Sequence, residues 1–165
     1  MNDIRIGFGY DSHRFEAGRR LVLGGVEFPG ETGLKGHSDA DVLIHAVIDA
    51  ILGAAALGDI GSHFPDTDAR WRGADSTRLL SAVVAEAESA GWTIGNVDVT
   101  VVCERPRIGP RVPDIRRRLA ALLWPADAEA GVARVSVKGK TNERMDDVGA
   151  GIGIEAYAAC LLKSI

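Results

Sequence analysis

Residues 36–58 read GHSDADVLIHAVIDAILGAAALG, and this stretch decides the fold of everything around it. Ser38, followed by Asp39 and Asp41, offers a side-chain acceptor and negative charge where a helix begins, and Gly58 offers a stop. The spacing predicts a helix from about Asp39 to Leu57, N-capped by Ser38. That helix is apolar almost all round, broken only by His45 and Asp49, so it is expected to be buried, in part by other subunits. An apolar tract this short, carrying an imidazole and a carboxylate, is unsuited to crossing a membrane.

Working outward, Ile4, Ile6 and Phe8 alternate with Arg5, Gly7 and Gly9, which predicts a half-buried strand. Arg20 to Phe28 reads as a short strand or hairpin broken at Gly24-Gly25. Downstream, Asp59 to Ala74 is a loop of 16 residues holding Gly61, Pro65 and Gly73. Structureless segments of that length in a compact domain are usually functional or disordered. Asp75-Ser76 then caps an amphipathic helix ending near Gly91-Trp92, and Val97, Val99 and Val101 alternate as a strand into Cys103. Pro106 to Pro113 is a turn, followed by a helix through Leu123 with Arg116, Arg117 and Arg118 on its exposed face. Val132 to Lys138 reads as a strand. The glycine-rich turn Gly149 to Gly153 leads into Ile154 to Leu162, read as a strand although a helical pattern fits nearly as well. The order predicts a single two-layer α+β domain over residues 1–165, a mixed sheet with helices packed on one face.

The chain of 165 residues is 46% hydrophobic and 25% charged, with a formal net charge of −4. That balance excludes a sequence-independent nucleic-acid binder, whose phosphate contacts need a basic surface, but leaves room for a local pocket for a phosphorylated ligand. Cys103 and Cys160 form no CxxC pair and no disulfide framework, and Asp3 and Arg5 interrupt any signal-like apolar run. A cytoplasmic protein without a membrane partner is expected.

Asp11-Ser12-His13 lies where the first strand ends. In an extended chain residues i and i+2 point the same way, so both side chains can face one ion, and His45 on the helix can complete a tripod. One carboxylate and two imidazoles with a fourth position open is a catalytic zinc pattern. Asp49, four residues after His45, is expected to take the other imidazole proton. On spacing alone, a turn at Asp11–His13 and a hydrogen-bonded core histidine at position 45 stay open as alternatives, and they are the commoner uses of such residues.

Gly36 to Asp49, together with Asp11-Ser12-His13 and Gly58-Asp59-Ile60-Gly61, resembles the 2-C-methyl-D-erythritol 2,4-cyclodiphosphate synthase family. So do Phe64-Pro65-Asp66-Thr67-Asp68, Gly73-Ala74-Asp75-Ser76, Gly95-Asn96-Val97-Asp98 and Lys140-Thr141-Asn142-Glu143, in order over essentially the whole chain. The resemblance implies a metal-dependent lyase of non-mevalonate isoprenoid biosynthesis that closes a cyclic diphosphate and releases CMP. It implies zinc on Asp11, His13 and His45, and magnesium or manganese on Glu143. His37 and Thr141 fall at positions for transition-state stabilisation. Substrate contacts are implied for Asp11, Ser12, His13, His37 and Ser38; for Asp59, Ile60 and Gly61; for Phe64, Pro65, Asp66, Thr67 and Asp68; and for Lys140, Thr141, Asn142 and Glu143. The segment Cys103, Glu104, Arg105, Pro106, Arg107, Ile108 and Gly109 is implied to cradle cytidine, largely through backbone groups. The resemblance further implies a homotrimer with sites between subunits.

The match departs near the end. After Glu143 the family shows a Leu-Gly-aromatic stretch and then an arginine, where this chain has Met145-Asp146-Asp147 and Ala150. Some relatives are fused to a cytidylyltransferase, for which the ten residues before Asp11 leave no expected room. His63 has no implied role and reads as surface. Two other functions use the same constellation: a zinc phosphodiesterase that activates water, and a trimeric zinc-stabilised nucleotide-binding module.

Overall fold

The computed structural model describes residues 3–165. In chain order its elements are β1 (Ile4–Arg14), β2 (Val22–Leu23), β3 (Val26–Glu27), α1 (Val42–Ala55), α2 (Ile60–His63), α3 (Ser76–Ser89), β4 (Trp92–Val102), α4 (Val112–Leu123), α5 (Ala128–Gly131), β5 (Val135–Lys140), α6 (Asp146–Gly149) and β6 (Gly153–Ser164). The main sheet is ordered β1-β6-β4-β5. β6 is antiparallel to β1 and β4, whereas β4 and β5 are parallel, joined by a crossover through α4. β2 and β3 make a separate hairpin. This is the expected α+β architecture with a mixed sheet, and α1, α3 and α4 cover one face.

The decisive helix starts later than predicted. Ala40 takes a left-handed backbone (φ 59°), which ends any helical run from Asp39, and the N-cap is Asp41 rather than Ser38. The Asp41 carboxylate accepts from the Ile44 amide at 3.1 Å and from the Gly24 and Gly25 amides at 2.9 and 2.7 Å. One fully buried carboxylate therefore caps α1 and fastens the β2–β3 turn to it. Asp41 had the same favourable chemistry as Ser38, and the turn's two orphan amides decided between them.

β1 alternates as predicted, but its faces are reversed. Ile4, Ile6, Phe8 and Tyr10 point away from the helices and are 57, 76, 66 and 44% exposed. Gly7 and Gly9 face α1. A Cβ on Gly7 would lie 1.8 Å from the Ala50 carbonyl oxygen, and one on Gly9 would lie 2.0 Å from that of Ala46. Ala46, Ala50 and Ala54, one turn apart, form the matching stripe on α1, so helix and strand meet backbone to backbone. Close packing replaces side-chain burial on this edge.

Elsewhere the differences are local. A bulge between Ile94 and Asn96 in β4 lets Trp92 and Ile94, then Val97, Val99 and Val101, all face the core. β5 begins at Val135, after a 3₁₀ turn over Val132–Arg134. β6 is a strand: Ile154, Ala156, Ala158, Cys160 and Leu162 are buried at period two. Asp59 to Ala74 is not structureless, since it holds α2 and a 3₁₀ turn over Ala69–Trp71. The Arg116 guanidinium is not on an exposed face but donates to the Val135 and Val132 carbonyls at 2.8 and 2.7 Å. The core joins Leu43, Ile44, Ile48, Ile51 and Leu52 of α1 to Leu80 of α3 and to Ile115 and Leu119 of α4. Each such fully buried side chain stabilises the fold by about 1.5–3 kcal/mol relative to exposure. Cys103 and Cys160 are buried and unpaired, with burial pushing both thiols up to about 12. Among the described residues, no helix is long and apolar enough to cross a membrane.

Candidate active site

The odd-numbered face of β1 runs Gly7, Gly9, Asp11, His13. The two glycines bring α1 down onto the strand, and the next two residues on that face meet the first turn of the helix, where His45 lies. His45 Nδ1 is 2.9 Å from Asp11 Oδ2 and 3.2 Å from His13 Nε2, and His13 Nε2 is 3.0 Å from Asp11 Oδ2. These three donors form a nearly equilateral triangle. Ligands ~2.0–2.1 Å from a tetrahedral zinc stand ~3.3 Å apart, so the triangle fits one face of such a site after slight expansion. Two imidazoles and a carboxylate suit zinc by ligand type as well.

Charge accompanies the geometry. Burial opposes ionisation of Asp11, but hydrogen bonds to His13 and His45 and their charge outweigh it and hold the carboxyl down at about 2. Burial likewise disfavours the His45 imidazolium. The bond to Asp11 and its charge, with Asp41 and Asp39 behind, overcome this and raise the His45 pKa. The centre is built to hold a positive charge.

The expected support from Asp49 is absent, because its carboxylate accepts from the Ile60 amide at 2.7 Å and so anchors α2. His45 Nε2 instead faces Ser76 Oγ at 2.9 Å and Ser38 Oγ at 3.2 Å. The loop carrying His37 is fastened on both sides. Arg19 donates to the Gly36 carbonyl at 2.7 Å and to the Ser38 carbonyl at 2.5 Å, Gly73 donates to the His37 carbonyl at 2.7 Å, and Asp39 donates to the Ala74 carbonyl at 3.0 Å. This loop and the metal triangle open into a cavity of about 510 Å³, with Ile60, Gly61, Phe64, Pro65 and Asp66 on its other wall.

A strand-borne Asp-x-His pair, a helical histidine closing on it and a His37–Ser38 loop above the triangle now stand together, and the whole chain carries the matching pattern. The YgbB family model matches residues 4–163. The chain belongs to the YgbB family. It is 55% identical to the 2-C-methyl-D-erythritol 2,4-cyclodiphosphate synthase of Salinibacter ruber, over 98% of this chain and 99% of that one. It is 52% identical to the synthase of Neisseria gonorrhoeae over the full length of both. Among solved structures it superposes on the IspF of Plasmodium falciparum in complex with CDP, with a TM-score of 0.83 and 33% identity, covering 99% of this chain and 98% of that one.

Not every residue singled out by the family pattern lines the metal cavity. Cys103, Glu104, Pro106, Arg107, Ile108 and Gly109, with Lys140 and Thr141, wall a second cavity of about 350 Å³ that shares no lining residue with the first. Within it the Cys103 Sγ–H points to the Pro106 carbonyl at 3.4 Å. Glu104 Oε1 accepts from the Asn142 and Arg144 amides at 3.1 and 3.3 Å, shaping the loop in which Thr141 Oγ1 donates to Glu143 Oε1 at 2.9 Å. Asn142 caps that loop, its amide donating to the Met145 carbonyl and to Asp146. Arg105 lies outside this cavity, beside Phe15 and Glu31. The Ser12 side chain points to the opposite face of β1, in a groove with Arg14 and Asp147, while its amide donates to Asp11 Oδ1 at 2.8 Å. Asp59 caps α2, Asp68 pairs with Arg70 at 2.6 Å, and Thr67 is exposed.

Three residues that sequence reasoning passed over hold the site together. Ser76 was visible as part of a helix cap and of the Gly73-Ala74-Asp75-Ser76 motif, without a role at the metal triangle. Arg19 carries no local signal, since its targets lie 17 and 19 residues downstream. His63, expected at the surface, is tied between the Leu57 carbonyl (2.8 Å) and Glu86 (3.2 Å), joining α2 to α3.

Proposed function

We propose that this chain converts 4-diphosphocytidyl-2-C-methyl-D-erythritol 2-phosphate to 2-C-methyl-D-erythritol 2,4-cyclodiphosphate and CMP, in non-mevalonate isoprenoid biosynthesis. The observation that carries the reading is the triangle of Asp11, His13 and His45 at 2.9–3.2 Å beneath the His37–Ser38 loop. It occurs in a chain more than half identical to synthases of that name over its full length.

Asp11, His13 and His45 would hold zinc, and Glu143 a magnesium or manganese ion. When bound, the cations supply Lewis acidity that draws electron density from the diphosphate. An oxygen of the 2-phosphate attacks the β-phosphorus. The bond from that phosphorus to the oxygen bridging it to the α-phosphate breaks, and the electron pair leaves with CMP. A phosphate monoester has its second pKa near ~6, so the nucleophile is largely ionised at neutral pH and needs no strong base. The step therefore needs no nucleophilic side chain, and Cys103 is buried with its thiol raised to about 12. His37, held by the fastened loop, and Thr141 donate hydrogen bonds to phosphoryl oxygens that gain charge. Cys103, Glu104 and Pro106 to Gly109 wall the cytidine subsite, and Phe64, Pro65 and Ile60 shield the sugar alcohol from water.

The reading includes a homotrimer with sites at the subunit boundaries, which two observations support. The metal cavity and the cytidine cavity are separate within one chain, and the outer sheet face is apolar, with Ile4, Ile6, Phe8 and Tyr10 exposed. Beside them the Tyr10 and Tyr157 hydroxyls both donate to Glu155, at 3.2 and 2.8 Å. Two buried, unpaired cysteines suit the cytoplasm.

Incubation with the cytidylylated substrate, zinc and magnesium in ¹⁸O water, followed by phosphorus NMR and mass spectrometry, tests the reading. Cyclisation yields unlabelled CMP and a cyclic diphosphate. Label in either product identifies a hydrolase, and binding without CMP release identifies a nucleotide-binding module.

A further inference from the structure

A histidine that gives Nδ1 to a cation carries its proton on Nε2, because neutral imidazole has one N–H. At His45 that choice is contested. Asp11 Oδ2 lies 2.9 Å from Nδ1, and a carboxylate at that distance favours a proton on Nδ1, which would occupy the lone pair a metal needs. On the other side of the ring Nε2 meets two hydroxyls, Ser76 Oγ at 2.9 Å and Ser38 Oγ at 3.2 Å.

The two hydroxyls are not equivalent. Ser76 is fully buried, its hydroxyl donates to Asp39 Oδ1, and its amide donates to Asp39 Oδ2 at 3.0 Å. With its hydrogen committed to a carboxylate, Ser76 Oγ has only lone pairs left for the imidazole. Ser38 Oγ accepts from the Ala40 amide at 3.1 Å, and its own hydrogen has no such fixed destination, so it can give or take a proton at Nε2. Asp39 is itself held, since Oδ1 also accepts from the Asp41 amide at 3.2 Å, immediately before α1.

We propose that Ser76, oriented by Asp39, is a positioning residue that keeps His45 in its Nε2–H form and thereby presents the Nδ1 lone pair to the cation. The Asp39–Ser76–His45 relay is the counterweight to Asp11. It also ties the start of α3 to the metal centre, because Ser76 is the first residue of that helix. The inference rests on reading Asp11, His13 and His45 as a zinc site.

The test measures zinc dissociation constants for the full chain by competition with a chromophoric chelator, together with the proton NMR signal of His45 Nε2–H in the zinc-loaded protein. Ser76→Ala and Asp39→Asn are expected to weaken zinc binding about 10–100-fold, the usual effect of losing a partner behind a ligand histidine. The Nε2–H signal, shifted downfield and slow to exchange in the unaltered chain, is expected to broaden into exchange in both variants. Ser76→Thr, which keeps the hydroxyl, is expected to restore most of the affinity and the signal. Asp39→Asn leaves the Ser76 side chain in place, so the two variants probe one relay from different ends. Zinc held within about twofold by both, with Asp11→Ala and His45→Ala losing it, overturns the relay while leaving the zinc site intact. Zinc retained by Asp11→Ala and His45→Ala overturns the zinc site itself.

Discussion

The two cavities are built in opposite ways. Around the metal triangle, buried or half-buried side chains are tied to one another: His45 to Ser76, Ser76 to Asp39, Arg19 to two carbonyls beside His37. The second cavity is walled by Cys103, Pro106 and Ile108 together with exposed Arg107, Gly109 and Lys140, and the functional groups of Thr141 and Glu143 lie on an exposed loop. That loop places Glu143 and Arg144 in left-handed backbone, φ 49° and 60°, and Glu104 satisfies two of its amides. Under the proposed function one cavity fixes a cation to within a fraction of an ångström, which rotamer-locked side chains achieve. The other would take a nucleotide in company with a second subunit, and an exposed loop is free to complete itself there.

If that contrast holds, substitutions around the triangle should cost more than those around the loop. His45→Ala should abolish zinc retention by metal analysis and lower turnover by about 10³-fold, the equivalent of several kcal/mol of lost charge stabilisation. Full zinc content in that variant would contradict the assignment.

Asp41 supplies a pH signature on the rigid side. Burial, the largest influence, lifts its carboxyl to about 6 against the donated Gly25, Gly24 and Ile44 amides, with Asp39 adding to the rise. A raised folded-state value means that its stabilising contribution is complete below the ordinary aspartate value of 3.8 and is lost as pH climbs through about 6. Unfolding of the metal-free chain in denaturant should therefore show a decline of up to ~3 kcal/mol over that window. Asp41→Asn, uncharged throughout, should lack it.

Gly9→Ala should destabilise the fold by about 3 kcal/mol, since the new methyl can be accommodated only by prising β1 off α1. Zinc affinity should fall with it, because the same contact delivers Asp11 and His13 to His45. Thermal unfolding with and without zinc reads both. Arg19→Met should cost about 1.5–3 kcal/mol of loop stability by removing charge-assisted bonds, seen as a lower kcat with zinc content unchanged. Glu143→Gln should be mildest, about tenfold in turnover at saturating magnesium and with unaltered zinc content. A larger loss there than at Arg19 would reverse the contrast between the cavities.

Much of this was legible in the chain. The period-two patterns of β1 and β4 and the apolar run of α1 are local properties, as is the i, i+2 geometry that aims Asp11 and His13 together. What misled was the assumption that apolar means inward: on β1 the apolar side chains form the outer face, and glycine is the residue that packs. The expectation that Asp49 stands behind His45 failed for a similar reason. Position i+4 on a helix is the nearest candidate in sequence, yet an amide of the following helix had already claimed that carboxylate.

The amino-acid sequence by itself determined the long strands, helices α1, α3 and α4, the three candidate metal ligands and the family, because periodicity, ligand chemistry and motif order are written along the chain. Only the tertiary structure decided which carboxylate caps α1, which hydroxyl orients His45, which arginine fastens the His37 loop, and which face of β1 is buried. Those outcomes depend on competition between groups far apart in sequence for the same buried hydrogen-bond partners and the same space, and that competition is settled only once helix and sheet are in contact.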